Sequence, residues 1–325
     1  MKIAIYGYGN LGRGVEAAVA HFADAKLCGV FTRRSPESIK TVTGAPVYSA
    51  ESVLNFKKAI DVMIICCGSA TDLPVITPML ARDFNVVDSF DTHAKIPEHF
   101  DRVDTSAREG GNVAVISSGW DPGLFSIARL YSSSALPVGC SHTFWGRGIS
   151  QGHSDAIRRI EGVVDARQYT VPNEEAKALV REGKNLALAP FEKHTRECYV
   201  VAEEGADKGA IEEKIKNMPN YFADYDTAVH FISREELVRD HSSMYHGGSV
   251  IRSAVTGVNS PSHHTMEFSL NLESNPEFTG SMLLATARAA HRMRERGVVG
   301  CKTLFDISPA DLSPLSSEEI RAQLL

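Results

Sequence analysis

The chain is predicted to be an α/β protein, with a doubly wound parallel sheet followed by an α+β domain built on an open mixed sheet. Three observations predict this. The first third alternates short apolar runs with amphipathic stretches of helical length, which is how βα units read in a sequence. A glycine-rich turn stands between the first apolar run and the first amphipathic stretch. After Gly119 the rhythm changes, and strand candidates continue between helices in a different pattern.

Taken in order, Lys2–Tyr6, Leu27–Phe31, Val62–Cys67, Asn85–Asp88 and Val113–Ser117 are the expected strands of the first sheet. Leu11–His21, Leu73–Arg82 and Pro97–Glu109 carry apolar positions at helical spacing, with Pro74 and Pro97 acceptable in a first turn. Beyond Gly119 the expected strands are Ser141–Trp145, Ala166–Val171, Arg196–Val201 and Ala228–Ile232, with helices Glu174–Arg181 and Ala210–Asn217 covering one side. A long helix, Gly280–Arg296, is stopped by Gly297, and Ser316-Ser317-Glu318 reads as a helix start. The expected division is residues 1–118, then 119–297, with a tail of about 298–325 packing back onto the first domain.

Composition narrows the function classes. The 325 residues are 43% hydrophobic and 23% charged, which suits a globular protein of about two domains. The longest apolar run, Val62 to Cys67, is far short of a bilayer span, so no membrane partner is expected. Residues 1–14 run straight into a strand and turn without the pattern of an export signal, so the cytoplasm is the expected compartment. A net charge of −6 offers no basic field for nucleic acid. The six cysteines, at 28, 66, 67, 140, 198 and 301, form no CxxC pair and no spacing with His that suits zinc. No metal is predicted; His263 and His264 are adjacent, so their side chains point differently.

Gly7-Tyr8-Gly9-Asn10-Leu11-Gly12 falls between a strand and a helix, the context that makes GxGxxG a Rossmann-type dinucleotide fingerprint. Gly7 allows the tight turn, Gly9 lets a pyrophosphate approach the backbone, and Gly12 permits close helix–strand packing. The second strand of an NAD-binding unit ends in an acidic residue that binds the ribose 2′-hydroxyl. Here it ends Phe31-Thr32-Arg33-Arg34, and two guanidinium groups with a hydroxyl suit a 2′-phosphate, so NADP is the predicted cofactor. Gly68-Ser69-Ala70-Thr71 follows another strand at the sheet's carboxyl edge and either borders the cofactor or forms a plain turn and helix cap.

Two further segments sit at the same edge: Val87-Asp88-Ser89-Phe90-Asp91-Thr92-His93 and Ser117-Ser118-Gly119-Trp120-Asp121-Pro122-Gly123. With Phe144-Trp145-Gly146, Ser150-Gln151-Gly152-His153-Ser154-Asp155 and the cofactor motifs, the chain resembles the meso-diaminopimelate dehydrogenases from residue 1 to about 310. The resemblance implies NADP-dependent reversible oxidative deamination at the D-configured carbon of meso-2,6-diaminopimelate, in lysine and cell-wall precursor synthesis. It implies a homodimer, with the second domain binding substrate and supplying the dimer contact. Asp91 and Asp121 would hold the reacting ammonium, and either could accept the proton that the reaction releases. Trp120 and Trp145 would be pocket walls, Phe144 would bind substrate beside them, Gln151 and Gly152 would bind the reacting-side carboxylate, and Asp155 the distal ammonium. Thr170, Arg196, His246 and Asn275 would read the far, L-configured end; taken singly, each is an ordinary strand, loop or turn residue. The chain departs from the family pattern at Lys95 and over Ser253 to His264.

Two rivals remain at this stage. One is another NADP oxidoreductase of the dihydrodipicolinate reductase or homoserine dehydrogenase type, which would not need two aspartates on one ammonium. The other is a non-catalytic NADP-binding sensor, since a fold does not imply a function.

Overall fold

The computed structural model describes residues 1–325 except Asn185, and divides the chain into two compact units, 1–127 with 276–325, and 128–275. In the first unit the chain runs β1 (Lys2–Tyr6), α1 (Asn10–Val19), β2 (Lys26–Thr32), β3 (Val47–Ser49), β4 (Val62–Ile65), α2 (Leu73–Ala81), β5 (Val86–Asp88), α3 (Ile96–Gly110) and β6 (Val113–Val115). Helix α4 (Leu124–Ala135) carries it into the second unit. There follow β7 (Gly139–Trp145), β8 (Gly148–Ile149), α5 (Gln151–Arg158), β9 (Val163–Pro172), α6 (Glu174–Arg181), α7 (Pro190–Lys193), β10 (His194–Ala202), α8 (Lys208–Lys216), β11 (Thr227–Phe231), α9 (Arg234–Asp240), β12 (His246–Thr256) and β13 (Ser262–Leu272). Helix α10 (Asn275–Glu295) returns to the first unit, which β14 (Gly300–Lys302), α11 (Pro309–Leu312) and α12 (Ser317–Leu324) complete.

The first unit is a seven-stranded parallel sheet in the order β14-β6-β5-β4-β1-β2-β3. Its central strands are apolar on both faces: Ile3, Ile5 and Ile64 join one core cluster, and Ala4, Met63 and Ile65 the other. That double burial is why these strands read as unbroken apolar runs rather than alternating ones. The chain's order reverses about β1 and β4, and the loops beyond their carboxyl ends are where an open sheet of this kind binds ligands.

The domain limits differ from those expected at 118 and 297. The long helix belongs to the first unit: Leu283, Leu284, Ala287, Ala289, Ala290 and Met293 pack with Ile3, Ile5 and Val15. It meets α1 where glycine faces glycine, and a Cβ on Gly280 would come within 2.5 Å of the Gly14 backbone. A helix buried this way cannot belong to the other core, whatever its distance along the chain.

The second unit holds two sheets rather than the single one expected. One is mixed and four-stranded, β11-β10-β9-β8; the other is antiparallel and three-stranded, β13-β12-β7. The hairpin β12–β13 escaped the sequence reading because β12 is buried almost throughout and does not alternate. The divergent segment 253–264 forms the outer end of this hairpin, with Ser253 opposite Thr265 and Thr256 opposite Ser262. No helix among the described residues is long and apolar enough to cross a membrane.

Candidate functional site

The glycine fingerprint forms the turn from β1 into α1. Gly7 adopts φ +94°, and a Cβ there would lie 2.7 Å from the Cys66 carbonyl oxygen, so only glycine closes this turn. A Cβ on Gly12 would strike the Gly7 carbonyl oxygen, whereas Gly9 faces open space. That opening is the head of a cavity of about 260 Å³ lined by Tyr6 to Gly9, Thr32 to Arg34, Cys66 to Gly68 and Asp72. Asn10 and Leu11 begin α1, whose N-terminal N–H groups turn toward the same end.

Both arginines are held at the rim. Arg33 forks onto Asp72 at 3.0 and 2.7 Å, and Arg34 donates to the Tyr8 carbonyl oxygen while its own N–H is accepted by Thr32 Oγ1 at 3.1 Å. The Arg33 hydrogen bond holds the Asp72 carboxyl below its ordinary value. Asp72 also accepts the Gly68 N–H at 3.2 Å, so it ties the second-strand rim to the Gly68–Thr71 loop. Sequence reading stopped one residue short of it. Glu16 was missed as well: buried in α1, it accepts the N–H groups of Val42 (3.1 Å) and Thr43 (2.7 Å) and the Tyr8 hydroxyl. Burial, with the Glu16 bond, pushes the Tyr8 hydroxyl up to about 12.

Asp91 and Asp121 lie in the same unit, in the loops after the paired strands β5 and β6. Asp91 exchanges two bonds with Ser69: its N–H donates to Ser69 Oγ at 3.0 Å, and Ser69 Oγ donates to its carboxylate. Asp91 keeps an exposed edge, yet the protein packed about its carboxyl pushes that group above the ordinary carboxylate value. Ser69, expected as a cofactor contact, thus touches one of the two expected proton acceptors. Asp121 sits in a loop closed by bridges from Gly119 and Trp120 to Gly123, and by Phe125 N–H on the Trp120 carbonyl at 2.8 Å. Gly123 has φ +130°, and a Cβ there would collide with the Gly119 carbonyl oxygen. Trp120 is buried edge-on against Phe125, with ring centroids 5.2 Å apart.

In the second unit, Thr170 on β9 and Arg196 on β10 are direct cross-strand partners, both buried, with an Arg196 Nη1 bond to Thr170 Oγ1. The guanidinium stacks 4.0 Å from the Tyr225 ring, and its Nε has no partner. Burial lowers the Arg196 pKa and, together with Arg196, pushes His153 and His194 down to about 3. Both imidazoles are therefore neutral near Arg196. Gln151 and Gly152 open α5 behind the Ser150 N-cap, and Gly152 has open space beside it. Met244 links two of the expected residues, its sulfur 3.9 Å from Gln151 Nε2 and its carbonyl accepting the Asn275 N–H at 3.1 Å. His246 begins β12, its Nδ1 accepting the Gly247 N–H at 2.8 Å.

Three of the expected residues have neighbours within the chain that the sequence does not show. Phe144 is fully buried in a core cluster with Val180 and Ile251, its ring 6.0 Å from that of His194. Asp155 is engaged by Arg158 and Arg159 of its own helix. Trp145 is oriented by a residue that sequence reading did not single out: its N–H donates to His194 Nε2 at 2.8 Å, and the two rings stack at 5.0 Å. Of the other overlooked groups, Tyr225 and Met244 carry no sequence signal, because each acts through a neighbour that only folding supplies. Among the described residues, no three His, Cys, Asp or Glu side chains converge as a metal site would require.

Comparison with known proteins gives a consistent result. Residues 119–274 match the family model described as the diaminopimelic acid dehydrogenase C-terminal domain. The meso-diaminopimelate D-dehydrogenase of Acetivibrio thermocellus is 57% identical, covering 100% of this chain and 98% of that protein. The solved structure of the C. glutamicum DAP dehydrogenase in complex with DAP superposes with a TM-score of 0.95 at 42% identity, covering 100% of this chain and 99% of that one. An engineered D-amino acid dehydrogenase bound to NADP+ superposes at 0.93 with 41% identity, covering 100% of this chain and 99% of that one.

Proposed function

The chain belongs to the meso-diaminopimelate D-dehydrogenase family, and on that premise we propose that it carries out the NADP-dependent, reversible oxidative deamination of meso-2,6-diaminopimelate. Hydride leaves the D-configured carbon, water adds to the resulting iminium, and ammonia departs to give L-2-amino-6-oxopimelate, as a step of lysine and diaminopimelate synthesis. The observation that carries this reading is one unit's combination of a dinucleotide turn, two rim arginines and two aspartates in adjacent loops.

The residues present fit NADP. Gly9 leaves the opening a pyrophosphate needs, and Arg33 and Arg34 stand at the rim where a 2′-phosphate would add its charge. Bound NADP+ supplies the acceptor for the hydride that leaves the amino-bearing carbon. Asp91 and Asp121 hold the reacting ammonium, and Asp91 takes the proton. A carboxylate raised by burial is a better base near neutral pH than an ordinary one. In the second unit, Arg196 and Thr170 bind a substrate carboxylate, supported by neutral His153 and His194, which add no competing positive charge. Gln151 and Gly152 at the start of α5 take the other carboxylate, with His246 and Asn275 reading the amino group's handedness.

The active form is a homodimer in the cytoplasm. Supporting the dimer, β13 is an eleven-residue edge strand exposed along most of its length, with Met266 and Phe268 41% and 39% exposed. A monomer would keep such an edge covered or charged. Supporting the compartment, all six thiols are free.

The test is NADP+ reduction by the purified protein with meso-, LL- and DD-diaminopimelate in parallel, repeated with NAD+. Turnover confined to the meso isomer with NADP+ is expected. Tight NADP+ binding without turnover of any isomer would leave a cofactor-binding sensor.

A further inference from the structure

Asp88 closes β5, is fully shielded from solvent, and has no part in the chemistry above. A buried carboxylate persists only when its oxygens are saturated with donors. Here they are, and the donors divide by oxygen. Oδ2 accepts from Thr77 Oγ1 of α2 and from His99 Nε2 of α3, each at 2.8 Å. Oδ1 accepts two backbone N–H groups, Phe90 at 3.1 Å and Ser117 at 3.0 Å. Those two amides lie just before Asp91 and at the head of the loop carrying Asp121. The Asp88 carbonyl adds two more ties to that second loop, accepting Ser118 N–H at 3.1 Å and Ser118 Oγ at 3.0 Å.

The second loop needs an outside tie. Ser117 has φ +53°, a left-handed conformation that a residue with a side chain adopts only when its surroundings hold it there. The first loop is braced on its other side, where His99 stacks on Phe90 with centroids 4.2 Å apart. One carboxylate oxygen thus grips the two segments that present Asp91 and Asp121.

We propose that Asp88 is a positioning residue that sets the placement of Asp91 and Asp121 for the reacting ammonium. The inference rests on the deamination reading above. Its mechanism is geometric: a carboxylate misplaced by about 1 Å can lose about a hundredfold in rate. Oδ1 holds both loops directly, whereas Thr77 on Oδ2 ties only a helix, which makes the idea separable from general stabilisation.

The experiment compares wild type with Asp88→Ala, Asp88→Ser, Asp88→Asn and Thr77→Val. It reads NADP+ affinity, kcat and KM for meso-diaminopimelate, and amide hydrogen exchange over residues 89–93 and 117–123. In Asp88→Ala the expected result is NADP+ affinity within about threefold of wild type, kcat down about a hundredfold and KM up about tenfold, with both segments exchanging faster. Loss of folded protein alone would lower kcat and leave KM unchanged. Asp88→Ser, which keeps a polar group too short to reach both amides, is read if the alanine variant does not fold. Asp88→Asn retains Oδ1 and is expected to recover kcat to within about fivefold, and Thr77→Val to keep wild-type kcat while lowering Tm. Unaltered KM and unaltered exchange in both the alanine and serine variants would overturn the proposal, as would an asparagine variant no better than alanine. A wild type that turns over no diaminopimelate sinks the deamination reading instead, and the exchange data still decide whether Asp88 holds both loops.

Discussion

Replacing Arg33 with Ala tests the cofactor assignment most directly. The Arg33 side chain is 58% exposed and its partner in this structure is Asp72, so the variant loses an exposed ion pair worth about 0–1 kcal/mol in stability. A 2′-phosphate would gain a charge-assisted bond from Arg33 worth about 1.5–3 kcal/mol. Because binding must compete with the Asp72 pair, the net contribution is about 0.5–3 kcal/mol, or roughly twofold to 150-fold in affinity. The expected outcome is a rise of that size in Kd and KM for NADP+, with KM for NAD+ unchanged and Tm within a few degrees. Initial rates of nicotinamide reduction with each cofactor, beside calorimetric NADP+ binding, measure it. Equal losses with NADP+ and NAD+ would refute the reasoning, since they would make Arg33 a brace for the turn rather than a reader of the phosphate. Asp72→Asn, which releases Arg33 from its fork, is expected to leave NADP+ preferred.

Three other outcomes follow from the geometry. The acid limb of kcat/KM for deamination should lie above the ordinary carboxylate range, because burial raises Asp91. Ser69→Ala should move it higher still, because the Ser69 bond lowers that pKa; an unmoved limb would point to Asp121 instead. His194→Phe removes the acceptor of the part-buried Trp145 backbone N–H and should cost about 0.5–1.5 kcal/mol by urea unfolding while raising KM for diaminopimelate; a stable variant with wild-type KM would contradict this. The Arg181 bond holds Glu267 down at about 2 against an ordinary 4.5, so the stability it contributes is complete above pH 4.5 and lost as pH falls through about 2. Arg181→Ala should therefore be less stable than wild type by about 0.2–1 kcal/mol at neutral pH, converging on it in strong acid; a gap independent of pH would be inconsistent with the ion pair.

The first sheet was legible because every central strand is buried on both faces and bounded by turn residues, so local composition and tertiary environment agree. The cofactor turn was legible because Gly7 and Gly12 occupy backbone positions that a Cβ would block. The second unit was less so. β13 does alternate, with Met266, Phe268, Leu270 and Leu272 separated by polar residues, and that signal could have found the hairpin. β12 gives no such signal, since its residues are buried on both sides. The domain limits lie elsewhere than expected because membership of a core is decided by packing, and α10 crosses back to cover Ile3 and Ile5.

By itself the sequence determined the parallel sheet, the dinucleotide turn, the arginine-marked rim and the identity of the residues offered to an amino acid. These depend on short-range pattern, which survives without knowledge of the fold. Only the tertiary structure decided which of those residues meet. It set Arg196 against Thr170 and under Tyr225, put Ser69 on Asp91, and withdrew Phe144 into the core. It also made Asp88 a carboxylate that joins two helices and two loops. A buried hydrogen bond between distant segments leaves no local trace, because its energy comes from desolvation and partners that exist only once the chain has folded.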